Sequence, residues 1–196
     1  AYDLILTQDN HLLVCGETFS YGQGNSDAYL LKLNTLGDTI FTRTFGLSGK
    51  DVAYSLIEST DLSVYITGET STLGTDSTNI LWWKLNAQHE NELMTSIGGI
   101  REDIGYDLIQ TVDNQFVISG STGSLSNRLD ANQYLVKVNA LGLIDWQLEG
   151  GNAAFDNKDD VYYSAAQNSL GLFLAGGFTK TYGYYGTRDI SISCFD

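Results

Sequence analysis

The chain has 196 residues, 42% of them hydrophobic and 12% aromatic, with 24 acidic against 10 basic side chains and a formal net charge of -14. Such a length and apolar content permit one sizeable core and exclude a disordered chain. The negative charge opposes broad contact with phosphate backbones or anionic membranes, so neither nucleic acid binding nor membrane insertion is expected, while cations, neutral glycans or simple solubility are compatible with it.

In chain order the first predicted element is a strand around Tyr2, followed by a turn at Asp9-Asn10 and a second strand, Leu12-Leu13-Val14-Cys15, that ends in Gly16-Glu17-Thr18. The same pair returns three times. Its clearest copy runs from Asp103 to Thr122, and framing each copy on its tyrosine gives Tyr2, Tyr54, Tyr106 and Tyr162, at intervals of 52, 52 and 56 residues. The Gly-x-Thr signature recurs at Gly68, Gly120 and Gly177, and the turn aspartate at Asp61 and Asp113. A third strand is predicted at Ala28–Asn34, Ile80–Asn86, Gln133–Asn139 and Ile190–Asp196, where Cys194 takes the place of the lysine in the other copies. A fourth follows at Thr39–Phe45, Glu92–Ile97 and Ile144–Glu149, each closed by glycine, and the last unit has none. The units are 1–52, 53–104, 105–160 and 161–196.

Four strands and three turns fit an interval of this size, whereas a helical repeat would show a 3.6-residue apolar period that is not visible. Strands such as Leu81-Trp82-Trp83 are continuously apolar, which means burial on both faces. The expected fold is therefore all-β: a β-propeller of four-stranded antiparallel blades, the last lacking its fourth strand, forming a single domain over 1–196. Fifteen strands leave the last blade incomplete, so a segment of a larger propeller is favoured over a four-bladed ring, and further blades or domains of the same parent chain are expected. Chain ends cut through such an array would present edges for another chain. The first residue is Ala1 and not methionine, consistent with processing or an excerpt.

The recurring Gly-Tyr-Asp-x-Ile-x-Thr-x-Asp-x-x-x-Val-x-x-Gly-x-Thr, followed by Asp/Asn-x-Tyr-Leu-x-Lys-x-Asn and a Trp or Phe strand ending in Gly-Gly, resembles a large group of bacterial propeller-type repeats found in secreted and cell-surface proteins. The resemblance spans essentially all 196 residues, with unit four the loosest copy. It implies an extracellular or cell-surface location and a repeat architecture, and no shared catalytic residues.

Candidate functional residues are few. Loops between second and third strands differ in every unit and in a propeller emerge on one face, where binding is commonly built. They carry Phe19, Tyr21, Arg128, Tyr182, Tyr184, Tyr185 and Arg188, side chains suited to anchoring a protein or glycan. No cofactor is expected. Calcium has weak candidates in Asp156, Asp159 and Asp160, which lack the spacing of a calcium loop, and the aspartate three residues before each tyrosine (Asp51, Asp103, Asp159) reads as a turn acceptor. His11 and His89 read as surface residues without metal-ligand spacing, and Cys15 with Cys194 as buried free thiols. Glu17 and Glu69 share one repeat slot, which accounts for them without invoking a glycosidase pair. The function expected is a non-catalytic scaffold or recognition module that binds a protein or glycan through its loop face. The alternatives are a propeller-type lyase or glycoside hydrolase, marked by carboxylates converging on the ring axis, and a purely structural spacer.

Overall fold

The computed structural model describes residues 1–74, 77–125, 131–150, 159–180 and 187–195. They form fifteen strands, with no helix among the described residues. Strands β1 (Asp3–Leu6), β2 (Leu12–Thr18), β3 (Asp27–Leu33) and β4 (Thr39–Phe45) make the first antiparallel meander; β5 (Asp51–Glu58), β6 (Val64–Thr70), β7 (Asn79–Leu85) and β8 (Asn91–Ile97) make the second. The third consists of β9 (Asp103–Gln110), β10 (Phe116–Thr122), β11 (Asn132–Val138) and β12 (Ile144–Glu149), and the fourth of β13 (Val161–Gln167), β14 (Phe173–Thr179) and β15 (Asp189–Phe195). Each sheet follows chain order across its width, as short connections dictate.

The tight turns all lie at one end of the sheets and share one local device. Each has a residue in the left-handed region: Asn10, Leu62, Asn114 and Gly171 between first and second strands, and Gly37, His89 and Gly142 between third and fourth. Asn34, Asn86 and Asn139 close the latter turns, their side-chain oxygens accepting backbone N–H groups two and four residues on. The turn aspartates reach across instead. Lys32 donates to Asp9 at 2.6 Å and Lys137 to Asp113 at 2.7 Å. Burial alone would raise the Asp9 carboxyl, but Lys32, Thr7 and His11 outweigh it and hold it well below the usual carboxylate range.

At the tyrosine of units two to four the first strand carries an extra residue. The register slips between Ala53 and Ser55 opposite Gly68, between Gly105 and Asp107 opposite Gly120, and between Tyr162 and Ser164 opposite Gly177. The residues pushed out are Tyr54, Tyr106 and Tyr163. The fourth copy's frame is therefore set by Tyr163 and not by Tyr162, whose hydroxyl instead donates to Ser193 at 2.6 Å within its own sheet. The bulge explains the Gly-x-Thr signature, because it presses a first-strand carbonyl onto that glycine. A Cβ at Gly120 would stand 1.8 Å from the Ile104 carbonyl oxygen, and one at Gly68 or Gly177 would meet Val52 or Val161 in the same way.

The sheets stack face to face in chain order, first on second, second on third, third on fourth, with first strands lying against first strands. Each contact has its own core. Leu13, Cys15, Ala28 and Leu30 meet Val64, Ile66, Leu81, Trp83 and Leu85. Tyr65, Ile80 and Trp82 meet Phe116, Ile118, Tyr134, Val136 and Val138, and Val117 with Leu135 meets Tyr162, Phe173 and Ala175. Trp82 and Trp83, adjacent in β7, point to opposite faces, one into each core.

Burial on both faces holds for the second and third sheets, where β6 and β10 are buried along their whole length. The outer sheets depart from it. β2 alternates, with Leu13 and Cys15 buried and Leu12 and Val14 turned to the uncovered side, and β15 is half bare. For the same reason Cys194 is exposed, contrary to the expectation of two buried thiols; only Cys15 is buried, and both are free. His89 is corrected in the other direction, being 7% exposed and packed at 5.4 Å against Phe41 of the first sheet.

Two stability measurements test this account. Gly120→Ala should cost at least about 2 kcal/mol in urea unfolding, whereas Gly176→Ala, with nothing near its Cβ, should stay within about 0.5 kcal/mol of wild type. Leu62→Asn, which gives a φ of 67° to a residue that tolerates it, should raise stability by about 1 kcal/mol.

Candidate functional site

The starts of first and third strands and the ends of second and fourth strands gather at the end opposite the tight turns, and aspartates hold it together. Asp51 accepts from the hydroxyls of Thr70 at 2.5 Å and Thr72 at 2.8 Å, while its own N–H donates to Ser26 of the preceding sheet. Asp103 repeats this with Thr122 at 2.5 Å, Ser124 at 2.7 Å and the Gly99 N–H, and its own N–H donates to Thr78. In the fourth sheet the equivalent is Asp160, not Asp159: it is 1% exposed, accepts the Lys180 N–H at 2.8 Å and donates its own N–H to Ala131. These carboxylates are spent on loop hydroxyls and amides, the turn-acceptor role expected for this position.

The bulges build the other half of the site. Tyr2, Tyr54, Tyr106 and Tyr163 stack from sheet to sheet along the first-strand edges, with ring centroids 4.8, 5.5 and 5.0 Å apart, and Phe178 extends the row at 5.8 Å from Tyr163. Tyr2 and Tyr54 each donate a 2.6 Å hydrogen bond to the glutamate of their own sheet, Glu17 and Glu69, and Lys50 pairs with Glu69 at 2.5 Å. The hydrogen bond to Glu17, helped by burial, pushes the Tyr2 phenol up to about 12. Burial first, then Glu69, raises Tyr54 further, and burial with the neighbouring Tyr163 pushes Tyr106 up to about 12. At neutral pH Tyr2, Tyr54 and Tyr106 stand in the row as neutral phenols. It offers aromatic faces for stacking and hydroxyls for hydrogen bonding, and no activated nucleophile.

Beneath the tyrosines runs a second row in the next residue of each first strand, Asp3, Ser55, Asp107 and Ser164. Ser55 donates to Asp3 at 3.1 Å and reaches Asp107 at 3.4 Å, and Ser164 donates to Asp107 at 2.9 Å. Backbone amides of Leu56 and Ala165 add to the same carboxylates at 3.0 Å. Sequence reading missed both rows as contacts, although the constant tyrosine frame was their signal.

The loop residues proposed from sequence fall into three groups. Phe19 and Tyr21 stand out from the first sheet's loop, 78% and 69% exposed, above a base fixed by the Gly24 amide on Asp27 and the Asn25 amide on Gly49. Tyr21 rims an open cleft of about 370 Å³ with Tyr29, Thr42 and Thr44. Arg188, on the fourth sheet, lays its guanidinium 4.2 Å over the Phe178 ring at the far end of the tyrosine row. Thus Phe19 and Tyr21 lie at one end of the stack and Arg188 at the other. Arg128, Tyr182, Tyr184, Tyr185 and Asp156 lie outside the described residues. Of the remaining cation candidates, Asp159 pairs with Lys180 at 2.7 Å, and no cluster of three metal-ligating side chains occurs among the described residues. Glu17 and Glu69, the hypothetical glycosidase pair, each hold the tyrosine of their own sheet.

Comparison with protein-family models and with curated proteins finds no match to this chain.

A raised phenol adds stability that is complete below pH 10, the usual tyrosine value, and is lost as pH rises through the folded value. Tyr106→Phe should therefore flatten the loss of unfolding free energy between about pH 10 and pH 12, measured by urea melts at stepped pH, relative to wild type.

Proposed function

We propose that the four sheets are consecutive blades of a β-propeller-type module that acts as a non-catalytic scaffold and recognition surface in a secreted or cell-surface bacterial protein. The arrangement of first strand against first strand, with a tyrosine row along the first-strand edges, supports the blade reading. Recognition of a neutral glycan or a protein is assigned to the loop end. The observation that carries this is the pair Phe19 and Tyr21, large rings held almost wholly in water on a loop whose base is pinned, beside the cleft formed with Tyr29. Rigid exposed aromatics lose little entropy on docking and stack on sugar rings or apolar protein surface. The tyrosine-bound state of Glu17 and Glu69 supports a binding role over hydrolysis, which needs two carboxylates facing one bond.

A glycan array probed with the recombinant chain, followed by calorimetry on any glycan retained, tests this reading. Retention with at least ten-fold weaker binding by Phe19→Ala and Tyr21→Ala, about 1.4 kcal/mol, is the expected result. An array without any retained glycan, together with no weakening of protein partners captured from an outer-surface extract by those two variants, would refute it.

A further inference from the structure

Equivalent places at two junctions between sheets are built differently. Where the first sheet meets the second, apolar side chains fill the space beside β7 and β8: Phe45, Leu73 and Met94 pack on the core that holds Leu81 and Trp83, with the Phe45 and Trp83 rings 3.8 Å apart. Where the second sheet meets the third, the repeat sets Ile97 for Phe45, Leu125 for Leu73, Tyr134 for Leu81, Val136 for Trp83 and Gln147 for Met94. Two rings become smaller aliphatic chains, and at this junction a cleft of about 190 Å³ is open. One of its walls is the Gly98-Gly99 connection leaving β8 and another is formed by Tyr134 and Gln147 of β11 and β12, so the cleft belongs to the middle of the stack.

The lining is polar where the equivalent junction is apolar. The Tyr134 hydroxyl donates to the Gln147 side-chain oxygen at 2.7 Å, which leaves the phenol oxygen as an acceptor and the amide N–H groups as donors. Packing does not require this pair, since Leu81 and Met94 hold the same two places in the second sheet. The Asp103 carboxylate, 1% exposed, also lines the cleft; the Thr122 and Ser124 hydroxyls and the Gly99 N–H donate to it and leave about one further acceptor site. With its charge already met by three donors it calls for no ammonium group, and no cationic side chain among the described lining residues would draw an anion. Leu125 and Ile144 supply an apolar surface beside these groups. Donors and acceptors set next to an apolar surface complement a ring that carries both hydroxyls and a C–H face.

We infer that this cleft is a binding site for one neutral, hydroxyl-bearing ring, a single sugar residue, held by Tyr134, Gln147 and Asp103. Its volume lies below the roughly 300 Å³ at which sites for larger ligands begin, so a longer glycan enters by one residue only. The site shares its ligand class with the glycan reading above but stands on other residues, since Phe19 and Tyr21 belong to the first sheet, and either site can fail alone.

Chemical-shift titration of the isotope-labelled chain tests it. The probes are free glucose, galactose, mannose and N-acetylglucosamine, and oligosaccharides ending in the same residues. The expected result is movement of the Gly98 and Gly99 amides and of the Gln147 side-chain amide, with a free sugar if a monosaccharide suffices and with an oligosaccharide alone if only a chain terminus is taken. Gln147→Met, which gives the cleft the second sheet's side chain, and Tyr134→Phe, which removes a single oxygen, should each weaken that binding roughly ten-fold or more. Phe19→Ala and Tyr21→Ala should leave these shifts unchanged. Silence of the three signals with every probe, or shifts that Gln147→Met and Tyr134→Phe leave undiminished, would overturn the site. Shifts confined to the Phe19 and Tyr21 loop would overturn it too, while upholding the loop-end reading.

Discussion

Contact between a first-strand carbonyl and a bare glycine Cα is the constraint from which the rest of the structure follows. Because Gly68, Gly120 and Gly177 have no side chain, the strand beside them can carry one residue too many, and that residue is always a tyrosine. Ejected from the ladder, the ring meets the corresponding tyrosine of the neighbouring sheet. The bulge also rotates the following residue, so that Ser55, Asp107 and Ser164 face a neighbouring sheet. A local packing allowance thereby becomes the register between sheets.

That register matters because a single meander of this kind cannot bury enough apolar surface on its own. The second and third sheets are apolar on both sides, Trp82 and Trp83 serving two different cores, and a sheet of that composition in isolation would leave large rings in water. Stacking covers them. Hydrophobic attraction alone is non-directional and would tolerate sliding of one sheet over another. The opening aspartates remove that freedom: Asp51, Asp103 and Asp160 each join a loop of their own sheet to a carbonyl of the preceding one.

Much of this was legible in the residues. The strands, their order in meanders and the double-sided burial of the middle sheets follow from the interval between tyrosines and from runs such as Leu81-Trp82-Trp83. Where reading failed, the cause was tertiary. Tyr162 and Tyr163 are adjacent and chemically alike, and only the position of the bulge decides which one joins the row; choosing Tyr162 also displaced the opening aspartate from Asp160 to Asp159. Leu12 and Leu13 are equally apolar, yet one is outward and the other buried, because no described sheet covers the rear of the first. His89 was legible as a turn residue but not as a buried one, since its partner Phe41 comes from another unit. The candidate loops were less legible still: exposure of Phe19 and Tyr21 and the stacking of Arg188 on Phe178 depend on how each loop leaves its sheet.

Differences among the four copies show which parts of the unit are structural and which are free to vary. The glycine and the tyrosine stay in every copy, and the carboxylate beside the tyrosine does not: it is Glu17, then Glu69, then Ser121, then Phe178. The lysine held by the turn aspartate in the first and third sheets turns to Glu92 in the second and is Cys194 in the fourth. These variable partners lie toward the two ends of the sheets, where the turns and loops leave the strands. The tyrosine row keeps its residue type in all four sheets, with Tyr54 and Tyr106 each set between rings of the adjacent sheets. A tyrosine row that stays constant while its partner slot drifts from Glu to Ser to Phe holds sheet to sheet through ring contacts, without needing the same hydrogen bond in every copy.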